Sequence, residues 1–261
     1  MNSWVAVTPE AQKSKRWRSR DAFQYAVGQQ TADILLPELS SLLPHYTLCF
    51  VQQEDSYRIV ALLGLGGERN LYINQENYWM CPYVPATLRS YPFALANYND
   101  SGDKVLCIQE AHITEDSDAN AFFDDEGGLA PATAEVFNFL KQCERSRLQT
   151  QSACDSLAEA EIIEPWPLHI KRGEDDKEPI TIDGLHRISE TKLNGLAESD
   201  FMRLRESGAL PLAYAQLFSE HQYPQLGQRA DYLTRQLEES SARLDLGGIF
   251  EEEGSLNFDS L

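Results

Sequence analysis

Several residue groups in this 261-residue chain have types and spacings suited to chemistry. Asp116, Asp118 and Asn120 stand at alternate positions, D-x-D-x-N, which is how a calcium loop begins. Such a loop needs Gly at its sixth position and Glu at its twelfth. Ala121 and Gly127 stand there instead, so the stretch reads as a solvated acidic loop. His112 lies near Glu110 and Glu115, but one histidine without a spaced second ligand does not define a metal site. His169 and His186 fall on two strand-like segments and could face each other across a hairpin; surface or half-buried histidines are the plainer reading. Gly64, Gly66 and Gly67 follow an apolar run, as in a phosphate loop. That loop should then open a helix, and ERNLYI reads as another strand, so the glycines fit a hairpin or bulge. No G-x-S-x-G, H-E-x-x-H or Walker motif occurs. The expectation is a chain without a recognisable catalytic centre, metal or cofactor, although a triad assembled from distant residues leaves no sequence signature.

A different chemistry is concentrated between residues 64 and 95. Tyr72, Tyr78, Trp79, Tyr83, Tyr91 and Phe93 fall there with Arg69 and Arg89 among them. Pro82, Pro85 and Pro92 forbid a continuous helix, because each lacks an N–H and restricts the residue before it. Aromatics and arginines on shaped loops carry much of the energy of protein interfaces. Arg69, Trp79, Tyr83, Arg89 and Tyr91 are therefore the candidate binding residues. A packed core with a polar rim would use the same residue types.

The segments NLYI, Trp79, YVPATLRSYPFAL and, later, ISETKLNGL with LRESGALPLAYAQLFS resemble the bacterial SapC family, over about residues 4–226. Members usually show two arginines before Tyr-Pro-Phe; here Arg89 is followed by Ser90. The resemblance implies a non-catalytic binding or accessory protein with a protein partner. That partner could be a flavin-dependent halogenase-like or oxygenase-like modifying enzyme, or a system handling a peptide or nutrient. The family name also suggests a structural component of a surface layer. A further alternative is an enzyme or small-molecule binder with a pocket between sheet and long helix, drawing on Arg89, His112, Asp183 and His186.

Composition narrows the classes. With 41 acidic and 22 basic residues the formal charge is −19, which disfavours nucleic acid and anionic membranes as partners. The basic residues Lys13, Lys15, Arg16, Arg18 and Arg20 gather near the start, and the end is acidic. Five cysteines without C-x-x-C spacing fit free thiols in a reducing cytoplasm. No signal peptide or run long enough to span a bilayer is evident, so a cytoplasmic location is expected.

The elements that must position these residues follow from pattern. YTLCFV and YRIVALLGL read as strands around the polar turn QQEDS, and KVLCIQE as a further strand. Pro131 suits the first position of a helix whose face is Val136, Phe139, Leu140 and Cys143. PLHIKR and ITIDGLHRIS flank GEDDKE as a hairpin. Residues 190–244 read as helical, with Ser199 and Asp200 capping one helix and Gly208 closing it. The expected architecture is α+β: an antiparallel-rich sheet in the N-terminal half, one long covering helix and a C-terminal helical block. It forms one domain over residues 1–246 (sheet-rich 1–130, helix and hairpin 131–189, helical 190–246), followed by an acidic flexible tail, 247–261.

Overall fold

The computed structural model describes residues 3–67, 69–98, 103–170 and 180–252. In chain order the strands are β1 (Trp4–Ala6), β2 (Arg16–Trp17), β3 (Thr31–Asp33), β4 (Leu48–Gln53), β5 (Ser56–Leu62), β6 (Phe93–Tyr98), β7 (Asp103–Gln109), β8 (Ile113–Thr114), β9 (Asn120–Ala121), β10 (Ile163–Pro165), β11 (Leu168–Ile170), β12 (Ile180–Ile182) and β13 (Leu185–Ile188). The helices are α1 (Pro9–Gln12), α2 (Leu39–Leu42), α3 (Ala86–Arg89), α4 (Pro131–Glu159), α5 (Glu190–Asn194), α6 (Glu198–Glu206), α7 (Ala209–Ser219) and α8 (Tyr223–Glu252).

The main sheet is antiparallel, in the order β10-β13-β4-β5-β3. Its centre is the β4–β5 hairpin. Leu48, Cys49, Phe50, Ile59, Val60, Ala61 and Leu62 are all buried, because both faces are covered, and a continuous apolar run is what such a strand requires. A second sheet, β1-β7-β6, and a small third one, β8-β2-β9, enclose a separate cluster of Trp17, Phe93, Leu106, Ile108, Phe122 and Leu140. The α+β reading holds, with one refinement: β10 and β13 come from residues 163–188 and join the sheet founded by the first half.

Helix α4 starts at Pro131, whose missing N–H is one that the first turn leaves unpaired anyway. Its 29 residues make a rod of about 44 Å. Leu140 belongs to the second cluster, whereas Ala153, Cys154 and Leu157 belong to the main core over β5. One helix therefore spans both cores. Leu148 points outward, 57% exposed.

Helix α7 closes the sheet in an unusual way. β13 pairs with β4 at Leu185–Val51 and His186–Phe50, and continuing that register places Ile188 opposite Leu48. There the buried side chain of Gln216 stands between the strands. It accepts the N–H of Ile188 (2.8 Å) and donates to the carbonyl of Leu48 (3.3 Å). Ser219 Oγ, one turn on, accepts the N–H of Leu48 (2.9 Å). A side-chain amide thus supplies a rung that the diverging backbones do not.

Two local expectations are corrected, and the plainer reading of His169 and His186, exposed and half-buried, holds. ERNLYI is not a strand: residues 69–73 form a turn whose side chains Leu71, Tyr72 and Ile73 are buried, with one bridge from Ile73 to Trp79. The amide of Asn70 satisfies this turn by donating to the Ala26 carbonyl and accepting the Tyr72 N–H, which replaces ladder bonds. His169 and His186 do not face each other. His169 lies opposite Thr181 in the β11–β12 hairpin, while His186 lies between Pro165 and Phe50 in the main sheet. Helix α6 begins at Glu198 with Ala197 as its N-cap, so Ser199 and Asp200 sit inside the first turn. Gly208 does end that helix in the left-handed conformation (φ 73°). GEDDKE lies outside the described residues, as does the end of the acidic tail; the tail's first residues continue the backbone of α8.

Candidate functional site

The aromatic and arginine residues of the 64–95 stretch divide into two sets. The first set is internal. Trp79 Nε1 donates to the Tyr46 hydroxyl (3.0 Å) and the Tyr83 carbonyl (3.2 Å). Its ring lies against Phe23 and Tyr72 at centroid distances of 5.3 and 5.9 Å. Arg69 turns back on its own loop, donating to the Asn74 carbonyl at 2.7 Å. Tyr83 donates its hydroxyl to Glu38 (2.8 Å). Trp79 and Tyr83 hold the loop to the core, and Arg69 closes the loop on itself.

Glu38 is the anchor of that arrangement. It is 5% exposed, and one carboxylate accepts the N–H of Leu35 (2.7 Å), the N–H of Ala86 (2.8 Å) and the Tyr83 hydroxyl. Burial pushes its pKa up against the opposing pull of those donors. The Tyr83 hydroxyl is pushed up by its own burial and then by Glu38 beside it. The first residue of the short helix α3 is thereby fixed, and with it the direction in which Arg89, the last, projects.

The second set opens onto a groove. Arg89 and Tyr91, with Trp17, Arg20, Phe93, Glu135, Val136 and Phe139, line a cavity of about 350 Å³ between residues 89–93, the end of β2 and the first turns of α4. The Arg89 guanidinium lies 5.2 Å from the centroids of both the Tyr83 and the Phe139 ring, and its Nη2 donates to the Tyr83 hydroxyl (3.1 Å). Arg20 reaches in from the basic N-terminal segment. Its Nη1 donates to the carbonyls of Arg89 (2.8 Å) and Tyr91 (3.1 Å), and it sits over the Phe23 ring at 4.8 Å. Tyr91 is stacked flat on Tyr25 (3.9 Å, 6°) and precedes a cis proline, Pro92. Among the described residues no carboxylate forms an ion pair with Arg20 or Arg89. Two fixed cations thus stand beside the half-buried Val136 and Phe139, with Trp17 and Phe93 buried behind them.

The alternative constellation does not converge. Arg89 lines the groove, His112 packs behind it against the Tyr91 ring (5.1 Å), Asp183 lies in the connection between β12 and β13, and His186 is in β13 of the main sheet. The acidic loop forms no cation cage: Asp116 pairs with Arg18 (2.6 Å) and accepts the Asp118 N–H (3.0 Å). Among the described residues no cluster of three or more His, Cys, Asp and Glu side chains is arranged to hold a metal. No helix among them is long and apolar enough to cross a membrane. The sequence reading missed Arg20, Glu135 and Glu38. It placed Phe139 on the helix face against the sheet, where it instead shields Arg89.

The sequence model of the SapC family matches residues 7–226. The chain belongs to the SapC family. The matched region of this SapC chain holds the whole groove, Glu38 and the Gln216 rung. No curated protein and no solved structure matches it. Ser90 follows Arg89 here, and Arg20 contributes a second guanidinium to the groove from a position 69 residues earlier.

Proposed function

We propose that this SapC-family chain is a non-catalytic binding protein, an accessory component that engages a protein partner through the groove beside α4. The observation that carries this reading is the pair of guanidiniums, Arg20 and Arg89, held by main-chain carbonyls and rings and in no direct ion pair among the described residues, next to an apolar wall. Fixed cations beside aromatic surface are what interface anchors are made of. The lining contains no histidine, cysteine or lysine, and the hydroxyl of Ser90 is turned to the Thr87 carbonyl (3.3 Å). The partner class suggested by the family resemblance is a halogenase-like or oxygenase-like modifying enzyme. A small-molecule reading is favoured by one observation, the groove's volume of about 350 Å³, which lies at the lower end of ordinary ligand pockets.

The test is capture of tagged protein from its native cells, comparing wild type with Arg89→Ala and Phe139→Ala variants whose folding is checked by circular dichroism. A stoichiometric partner lost from both variants supports the proposal. A partner retained equally by all three, or none, refutes it and shifts weight to a small ligand, to be sought by mass spectrometry of the purified protein.

A further inference from the structure

Building on the reading of the groove as a recognition site, we infer that what it recognises is a carboxylate presented next to an aromatic or large apolar side chain, as in an acidic–aromatic segment of a protein partner. The argument starts from charge. A chain with a formal charge of −19 has acids to spare, yet among the described residues neither arginine of the groove is in a direct ion pair, and Arg89 reaches the buried Glu38 only through the Tyr83 hydroxyl. Each is immobilised by other means. Arg20 spends one nitrogen on two loop carbonyls, and Arg89 spends one on the Tyr83 hydroxyl while rings of Tyr83 and Phe139 lie near its charge. A guanidinium carries five N–H donors, so both keep donors for a ligand, already oriented. Fixing them beforehand removes most of the ordering cost of binding an anion.

The apolar wall sets what must accompany the anion. Val136, Phe139 and the ring of Tyr91 are half-buried and offer apolar surface over the buried Trp17, Pro92 and Phe93, surface that gains only by contact with another apolar group. Glu135 sets the kind of anion. It is the one acid in the lining, and it would oppose a phosphate dianion more strongly than a single carboxylate. A monoanion followed by a ring satisfies cations, wall and Glu135 together.

The test uses the full chain, isotopically labelled, titrated with acetyl-Phe-Asp-amide and acetyl-Phe-Asn-amide and followed by nuclear magnetic resonance. The aspartyl peptide should bind with shifts at Arg89, Tyr91, Val136 and Phe139. The asparaginyl peptide should bind about tenfold more weakly or worse, the factor a charge-assisted hydrogen bond carries. Arg89→Gln should remove most of that difference, and added salt should narrow it. Because Arg20 also holds the loop, Glu135→Gln serves as a second variant: it should strengthen binding of the aspartyl peptide, which a merely structural role would not produce. Equal affinity for the two peptides, shifts remote from the groove, or tighter binding of acetyl-Phe-phosphoserine-amide would overturn the inference. If the peptides fail while native capture still depends on Phe139, the groove is a recognition site and only its carboxylate chemistry is wrong. If capture is indifferent to the groove, the functional reading itself falls.

Discussion

Replacing Gln216 with Met tests how the main sheet is closed. Met is nearly as long and fills the same space, but it neither accepts the Ile188 N–H nor donates to the Leu48 carbonyl. Gln216 and Leu48 are fully buried and Ile188 is 1% exposed, so water cannot take over either bond. An orphaned buried backbone group costs about 1–3 kcal/mol. The Leu48 carbonyl keeps a long contact from Ser219 Oγ (3.5 Å), so the larger share falls on Ile188. Burial of the thioether in place of an amide returns part of the loss. The net expectation is a destabilisation of about 1–3 kcal/mol, or roughly 2–6 °C in Tm for a chain of this size. Urea unfolding followed by circular dichroism measures the first, and hydrogen exchange should show the Ile188 amide losing protection ahead of its neighbours. Gln216→Glu is the companion variant. It retains an acceptor but places a carboxylate near Glu220, whose Oε1 lies 3.3 Å from the present amide nitrogen, so its defect should ease as pH falls and the introduced acid is protonated. A Gln216→Met protein within about 0.5 kcal/mol of wild type, or with Ile188 protection unchanged, would refute the idea that the amide acts as a rung.

Gly208 sits at φ 73° with open space around it, so Gly208→Ala should lose about 1–2 kcal/mol from backbone conformation alone, read as a lower urea midpoint at unchanged slope. Glu144 is held down to a pKa of about 2 by hydrogen bonds from Arg147, with Lys104 adding to them. A depressed carboxylate contributes stability above its unfolded value of 4.5, and that contribution is lost as pH falls toward 2. With Arg147 half exposed, Glu144→Gln should be only about 0.5–1 kcal/mol less stable at pH 7, and the gap should close between pH 4.5 and 2 in paired melts.

Where a pattern is local, the sequence was readable. The β4–β5 hairpin follows from two runs of β-forming residues around a polar turn, and α4 follows from Pro131 and apolar positions three and four apart. The turn at 69–73 was misread because its apolar side chains are as buried as a strand's, while its backbone bonds are scattered over Val27, Leu63 and the Asn70 side chain instead of forming a ladder. Of the five candidate binding residues, Arg89 and Tyr91 line the groove, Trp79 and Tyr83 tie the loop before it to the core, and Arg69 bonds only within its own loop. Residue types alone do not separate those roles, since a buried Trp and an interface Trp are the same letter. Arg20 was visible only as part of a basic head. Its use depends on two carbonyls that lie 69 and 71 positions away, and no spacing rule reaches that far.

The order of strands in the main sheet has a consequence for how the chain emerges from the ribosome. β4 and β5 can pair as soon as they are made, but the other edge of β4 receives β13 only after residue 188, and the Gln216 rung later still. More than a hundred residues of synthesis therefore pass with an apolar strand edge unpaired, the kind of edge that recruits foreign strands. A nascent chain arrested before β13 should depend on chaperones and aggregate when released, whereas one extended past α7 should not. For this fold, the strand order predicts that the exposure lasts at least as long as translation takes to reach β13.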